Sequence, residues 1–137
     1  MSHQKNIIYP AISDTHYRAG PPATYNIGVN TWTKMNIGTA TGSGFTLSSN
    51  TLTCVLPGWY LVRMGLYQAE NTSCEMALYK NGAVYEYGTV DPGGYSTEYC
   101  GIVRVAVGDT LELYGYAGSG DLDSYDSISS LFIGRLQ

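Results

Sequence analysis

A two-residue break, Asn81-Gly82, set between two short alternating runs, constrains this chain most. A two-residue type I′ turn needs positive φ at both central residues, and Asn-Gly is a pair that strongly favours it. The runs on either side, 74–80 and 83–89, therefore read as a β-hairpin. The same punctuation recurs at Gly42-Ser43-Gly44, Ser48-Ser49-Asn50, Pro57-Gly58, Asp91-Pro92-Gly93-Gly94 and Gly108-Asp109. Between these breaks, residues 29–37, 45–47, 52–56, 59–68, 99–107, 111–117 and 127–136 read as strands. In the run 59–68, Tyr60, Val62, Met64 and Leu66 share one face; in 111–117, Leu111 and Leu113 alternate with Glu112 and Tyr114. No window holds a 3.6-residue apolar period, so no helix is expected. About ten short strands separated by regular turns predict an all-β sandwich or barrel.

At 137 residues the chain suits one domain, and 44% hydrophobic residues are enough for a core. Only 13% of residues are charged, which favours a chain that hides part of its surface in an oligomer. The net charge is −4 and no run of Lys and Arg could track a phosphate backbone, so nucleic acid is not an expected partner. The 17 glycines fit many tight turns, and the 13 tyrosines fit strands and contact surfaces. Cys54, Cys74 and Cys100 are odd in number and lack CxxC spacing; free thiols are expected, although one bridge with one free thiol stays open. No apolar stretch is long enough to span a membrane, and the start MSHQKNIIYP lacks the apolar region of a signal peptide; synthesis in the cytoplasm is expected. Residues 1–27 differ from the rest, with Pro10, Pro21, Pro22, Gly20 and little alternation. They read as an extended arm ahead of a domain at 28–137, with Ile7, Ile8 and Tyr9 as its docking residues.

Four segments taken together resemble the globular C1q domain, whose jelly roll is shared with the tumour necrosis factor family. They are Leu52-Thr53 followed by Pro57-Gly58-Trp59-Tyr60; Leu78-Tyr79-Lys80-Asn81-Gly82; Val105 through Gly108-Asp109-Thr110-Leu111; and Phe132-Ile133-Gly134-Arg135-Leu136. Each segment alone is common, and their order and spacing carry the likeness. The resemblance implies an antiparallel jelly-roll sandwich of about ten strands. It makes Gly58, Tyr60, Asn81, Gly82, Gly108, Asp109, Phe132 and Gly134 structural residues, and it places the last strand near the threefold axis of a homotrimer. No collagen-like stem precedes the domain. A trimer with three arms at its base is similar to the plug-in knobs of bacteriophage fibres, tail tips and capsids. The expectation is therefore a virion structural protein, a fibre knob or capsid decoration, held to other virion proteins by its arm and touching a host surface glycan or protein. A stand-alone bacterial C1q-like binding protein is the alternative.

Catalysis finds little footing. Both histidines, His3 and His16, lie in the arm, and the Gly-Ser-Gly turns are not a nucleophile elbow. Tyr95, Tyr99 and Tyr125 sit in or beside polar loops and are the candidate ligand-binding residues; surface or interface packing explains the same rings. Asp121, Asp123 and Asp126 form the one carboxylate cluster suited to Ca²⁺, but without an EF-hand pattern a solvated turn is preferred and no cofactor is expected. Asn71-Thr72-Ser73 matches a glycosylation acceptor by chance.

Overall fold

A computed structural model describes residues 12–20, 25–27, 30–37, 39–67, 73–88, 96–118, 122–124 and 130–136. In chain order the strands are β1 Ile12–Gly20, β2 Tyr25–Ile27, β3 Thr33–Lys34, β4 Thr39–Gly42, β5 Phe45–Ser48, β6 Thr51–Cys54, β7 Gly58–Tyr67, β8 Cys74–Lys80, β9 Ala83–Tyr87, β10 Ser96–Val105, β11 Thr110–Ala117, β12 Leu122–Ser124 and β13 Ser130–Leu136. Ten of them make two five-stranded antiparallel rows, ordered β10-β7-β13-β1-β4 and β5-β6-β11-β8-β9; β3 adds to β11, and β2 pairs with β12. This is an all-β jelly roll, as the resemblance implies.

Period-2 alternation builds the core between the two sheets. Tyr60, Val62 and Met64 of β7 face inward with Val103 and Val105 of β10 and Leu131 and Ile133 of β13. The other sheet supplies Phe45, Leu52, Cys54, Cys74, Met76, Leu78, Leu111 and Leu113. The Tyr60 ring meets Phe45 edge-on at 5.0 Å. Its hydroxyl donates to the Leu56 carbonyl at 2.7 Å, so this core tyrosine buries its ring without orphaning its polar tip.

Three expectations change. In the stretch read as an arm, residues 12–20 are extended, but they form β1 and pair on both sides, with β13 and β4. Absence of alternation at 12–20 therefore did not mean absence of a strand. Residues 29–37 are not one strand: only Thr33–Lys34 joins the ladder. Asn30 adopts φ +51°, a turn conformation that interrupts an extended run. The turn expected at 42–44 is preceded by a further strand, β4. Cys54, Cys74 and Cys100 are free thiols, the first two buried and the third exposed.

Candidate functional site

At one end of the sandwich two turns lock together. Asn81 and Gly82 both take positive φ, +52° and +79°, which closes the β8–β9 hairpin. Gly108, at φ +87°, turns β10 into β11. Asn81 Nδ2 donates to Asp109 Oδ1 at 3.0 Å, and the Thr110 N–H donates to Asn81 Oδ1 at 2.9 Å. The Ala106 N–H donates to Asp109 Oδ2 at 2.8 Å, and Lys80 Nζ lies 3.4 Å from the same oxygen. The Ala106 amide and the Asn81 side chain, with help from Lys80, hold the Asp109 carboxyl below its usual range. Beside this lock, Arg135 donates twice to the Pro57 carbonyl, at 3.1 and 3.0 Å. A Cβ on Gly58 would sit 2.9 Å from Arg135 Nε, so glycine leaves room for that clamp. Gly58, Tyr60, Asn81, Gly82, Gly108 and Asp109 thus serve turns, core and clamp. Phe132 and Gly134 lie in β13 between β7 and β1.

The edge between β9 and β10 is a second device. Tyr85 Oη donates to the Ile102 carbonyl at 3.2 Å. Tyr99 Oη donates to Glu86 Oε2 at 2.7 Å. A β-bulge makes this reach possible: Leu78 pairs with Glu86 and Tyr79 with Val84, leaving Tyr85 as the extra residue. Burial first, then the hydrogen bond to Glu86, push the Tyr99 hydroxyl far above the ordinary tyrosine range. A Cβ on Gly101 would strike the Tyr99 hydroxyl and approach Glu86 Oε2 to 2.8 Å. Gly101 is therefore the gap into which this bridge fits.

Tyr99 was the one candidate ligand residue whose side chain is described, and it is only 2% exposed. Its ring cannot stack on a ligand from outside; it seams the two sheets. Tyr95, Tyr125, Asp121 and Asp126 lie outside the described residues, as do Ile7, Ile8 and Tyr9. Asp123 is placed by its backbone in β12, opposite Asn26 of β2.

The outward faces of the two sheets carry different chemistry. On the β7–β10 sheet, Trp59 is 51% and Ile102 50% exposed. Register sets Trp59 opposite Arg104 and Leu61 opposite both Ile102 and Gly134, so Trp59, Leu61 and Ile102 form an apolar stripe across β7 and β10 with Arg104 beside it. The outward side of β8, β9 and β11 instead gathers aromatic rings. Tyr79 and Tyr114 stack at 3.9 Å and 27°. Trp32 lies 5.3 Å from Tyr116 and 5.6 Å from Tyr87. Tyr116 Oη donates to Asn30 Oδ1 at 2.9 Å, and Lys34 pairs with Glu112 beside the rings. Ala77 pairs with Tyr114 on one side and Tyr87 on the other. It is 0% exposed although its neighbours at 75 and 79 are partly open. A methyl on an outward position is buried only when larger neighbours lie over it, which fits the cluster of Trp32, Tyr87, Tyr114 and Tyr116 around it. Sequence reasoning missed this group, although Tyr114 and Tyr116 occupy alternate positions of a strand whose other face is Leu111, Leu113, Gly115 and Ala117.

No protein-family model matches this sequence, and no curated protein matches it either. Solved structures do. Murine APRIL at pH 8.0 aligns with a TM-score of 0.69 at 12% identity, covering 89% of this chain and 98% of that one. Eiger TNF from S. frugiperda aligns at 0.68 and 14% identity, covering 94% of each chain. The PRD1 vertex protein P5 aligns at 0.68 and 12% identity, covering 93% of this chain and 99% of that one. At such identities the likeness is one of fold, and that fold is the tumour necrosis factor-like jelly roll.

Proposed function

We propose that this chain is a virion structural protein, a trimeric jelly-roll knob that binds and assembles and performs no catalysis. The observation that carries the reading is the apolar stripe of Trp59, Leu61 and Ile102 on the β7–β10–β13 sheet. Two half-exposed large side chains lying diagonally across the β7–β10 pair on one sheet face favour burial against a partner. The low charge content supports the same conclusion. The fold likeness to the PRD1 vertex protein P5 supports a virion setting. Because β1 belongs to the sheet, the anchor is assigned to the residues before it, with Ile7, Ile8 and Tyr9 as its apolar contacts.

Sedimentation gives the first test. A mass near three times 14.8 kDa is expected, and a monomer at micromolar concentration overturns the knob. Deleting residues 1–11, which precede β1, is expected to leave a folded trimer that no longer joins particles. The likeness to APRIL and Eiger TNF favours a second reading, a stand-alone trimeric binding protein. That reading predicts no effect of the deletion on any particle.

A further inference from the structure

The aromatic face on the outward side of β8, β9, β11 and the segment around β3 is not used by the trimer reading. We infer that it is a carbohydrate-binding platform for a neutral oligosaccharide, with Trp32 and Tyr87 as the stacking rings and Asn30 and Tyr116 as the polar guides. The inference deepens the reading of an adhesive knob by naming the ligand class and the face; it rests on that reading only for its biological setting.

Four observations point to this ligand. First, the rings are contiguous and supported: Tyr79 stacks on Tyr114, Trp32 bridges Tyr87 and Tyr116, and Ala77, paired in the ladder with Tyr114 and Tyr87, is fully buried. Rings braced by neighbours lose little freedom when a ligand lands on them. Second, Tyr87 is 59% exposed, on a strand whose five residues are all exposed, so the platform is open at that edge. Third, the polar groups lie beside the rings: the Tyr116 hydroxyl donates to the Asn30 amide oxygen, and among the described residues none accepts from the Asn30 amide nitrogen. A pyranose has an apolar C–H face and a rim of hydroxyls; the C–H groups suit the negative face of an aromatic ring, and the hydroxyls suit such guides.

The fourth observation is charge. Lys34 is neutralised by Glu112, and Glu75 stands opposite Tyr116 in the register. Among the described residues, the platform therefore presents no net positive charge. This is the wrong sign for sialylated or sulfated glycans and for phospholipid head groups, and it leaves the neutral sugar as the complementary partner. The platform also lies on the opposite sheet from the Trp59–Ile102 stripe, so a trimer closed through that stripe leaves it facing outward.

The test uses the full chain on immobilised hexasaccharides of glucose, mannose, galactose and N-acetylglucosamine, beside sialylated and sulfated counterparts. The wild type is expected to bind at least one neutral probe, and Tyr87→Ala and Trp32→Ala each to weaken that binding roughly tenfold or more. Tyr87→Ala changes an exposed side chain, so its result stands even where Trp32→Ala disturbs folding. Sedimentation of the same variants reads assembly separately, and an unchanged mass is expected. The inference is overturned by no binding to any neutral probe at millimolar concentration, by binding that both variants retain, or by preference for the anionic probes. A drop in mass in Tyr87→Ala would also overturn it, because a second copy would then be the occupant.

Discussion

The two outward sheet faces expose large side chains to a similar extent and ask for different partners. Trp59 and Ile102 project from β7 and β10, and their stripe mixes an indole with aliphatic groups. The rings on β8, β9 and β11 are already packed against one another and carry hydroxyls, one of them bonded to Asn30. Exposure alone would score the faces alike. On the proposed reading the first is completed by another protein surface, whereas the second is packed ring against ring and offers ring faces and polar guides. A face of the first kind favours a permanent interface, and one of the second kind favours reversible contact.

The largest expected effect breaks the first face. Replacing Trp59 and Ile102 together by Glu places two carboxylates in the proposed interface, more than Arg104 across from position 59 can neutralise, and desolvating them there is costly. The variant is expected to sediment as single chains at micromolar concentration while its circular dichroism stays that of a β-sheet protein. If it keeps the mass of the wild type, the stripe is not the interface. The aromatic platform should still bind its neutral probe chain by chain, since no platform residue lies on β7 or β10.

Next comes the seam that joins the two sheets between these faces. Gly101→Ala drives a methyl into the Tyr99–Glu86 hydrogen bond. Overpacking together with a disturbed buried donor is expected to cost about 2–3 kcal/mol. Urea denaturation monitors it, and a loss below about 0.5 kcal/mol would mean that the seam gives way freely. Tyr99→Phe removes the hydroxyl without the overlap and should cost less, near 1 kcal/mol.

The seam also sets a pH limit. Burial and Glu86 keep Tyr99 protonated in the folded chain at pH values where the unfolded chain has ionised. Above about pH 10 the unfolded state therefore binds fewer protons than the folded one, and stability falls as pH rises; below that pH this contribution is fully present. Tyr60 and Cys54, raised chiefly by burial, act in the same direction. Tyr99→Phe is expected to flatten the alkaline decline in melting temperature. An equally steep decline in the variant would assign it to other groups.

These residues also show what was legible beforehand. Asn81-Gly82 and Gly108-Asp109 were readable as turns because local backbone demands select those residue types. Their interlock was not, because Asn81 meets Asp109 across 28 positions and only the folded register brings them together. Tyr60 was placed correctly because Tyr60, Val62 and Met64 recur at the strand period of two and share the inward face, even though Trp59 and Leu61 opposite them are also apolar. Tyr99 also follows an alternating strand, but its neighbourhood of Gly, Ser and Thr suggested a loop, and the inward ring was misjudged as open. β1 was hidden because pairing with two neighbours can hold a strand that has no alternation of its own. The aromatic platform draws on β8, β9, β11 and Trp32, so no single segment announces it. Asn81→Ala tests the lock directly: it loses two hydrogen bonds and places at positive φ a residue that tolerates it less well than Asn, for an expected cost of about 1–2 kcal/mol in the same denaturation assay.

The smallest effect on stability is expected where binding should change most. Tyr87 lies on an edge strand and is more than half exposed, so truncating it removes one tilted contact with Trp32 and little buried area. Tyr87→Ala should therefore shift unfolding by no more than about 0.5 kcal/mol, the range of ordinary surface changes. Trp32 would lose one of its two ring neighbours and keep Tyr116. A much larger loss would mean that Tyr87 holds the sheet together, and the contrast between the two faces would have to be redrawn. A small loss with weakened binding to a neutral hexasaccharide would separate the roles: the Trp59 side for assembly, the Tyr87 side for recognition.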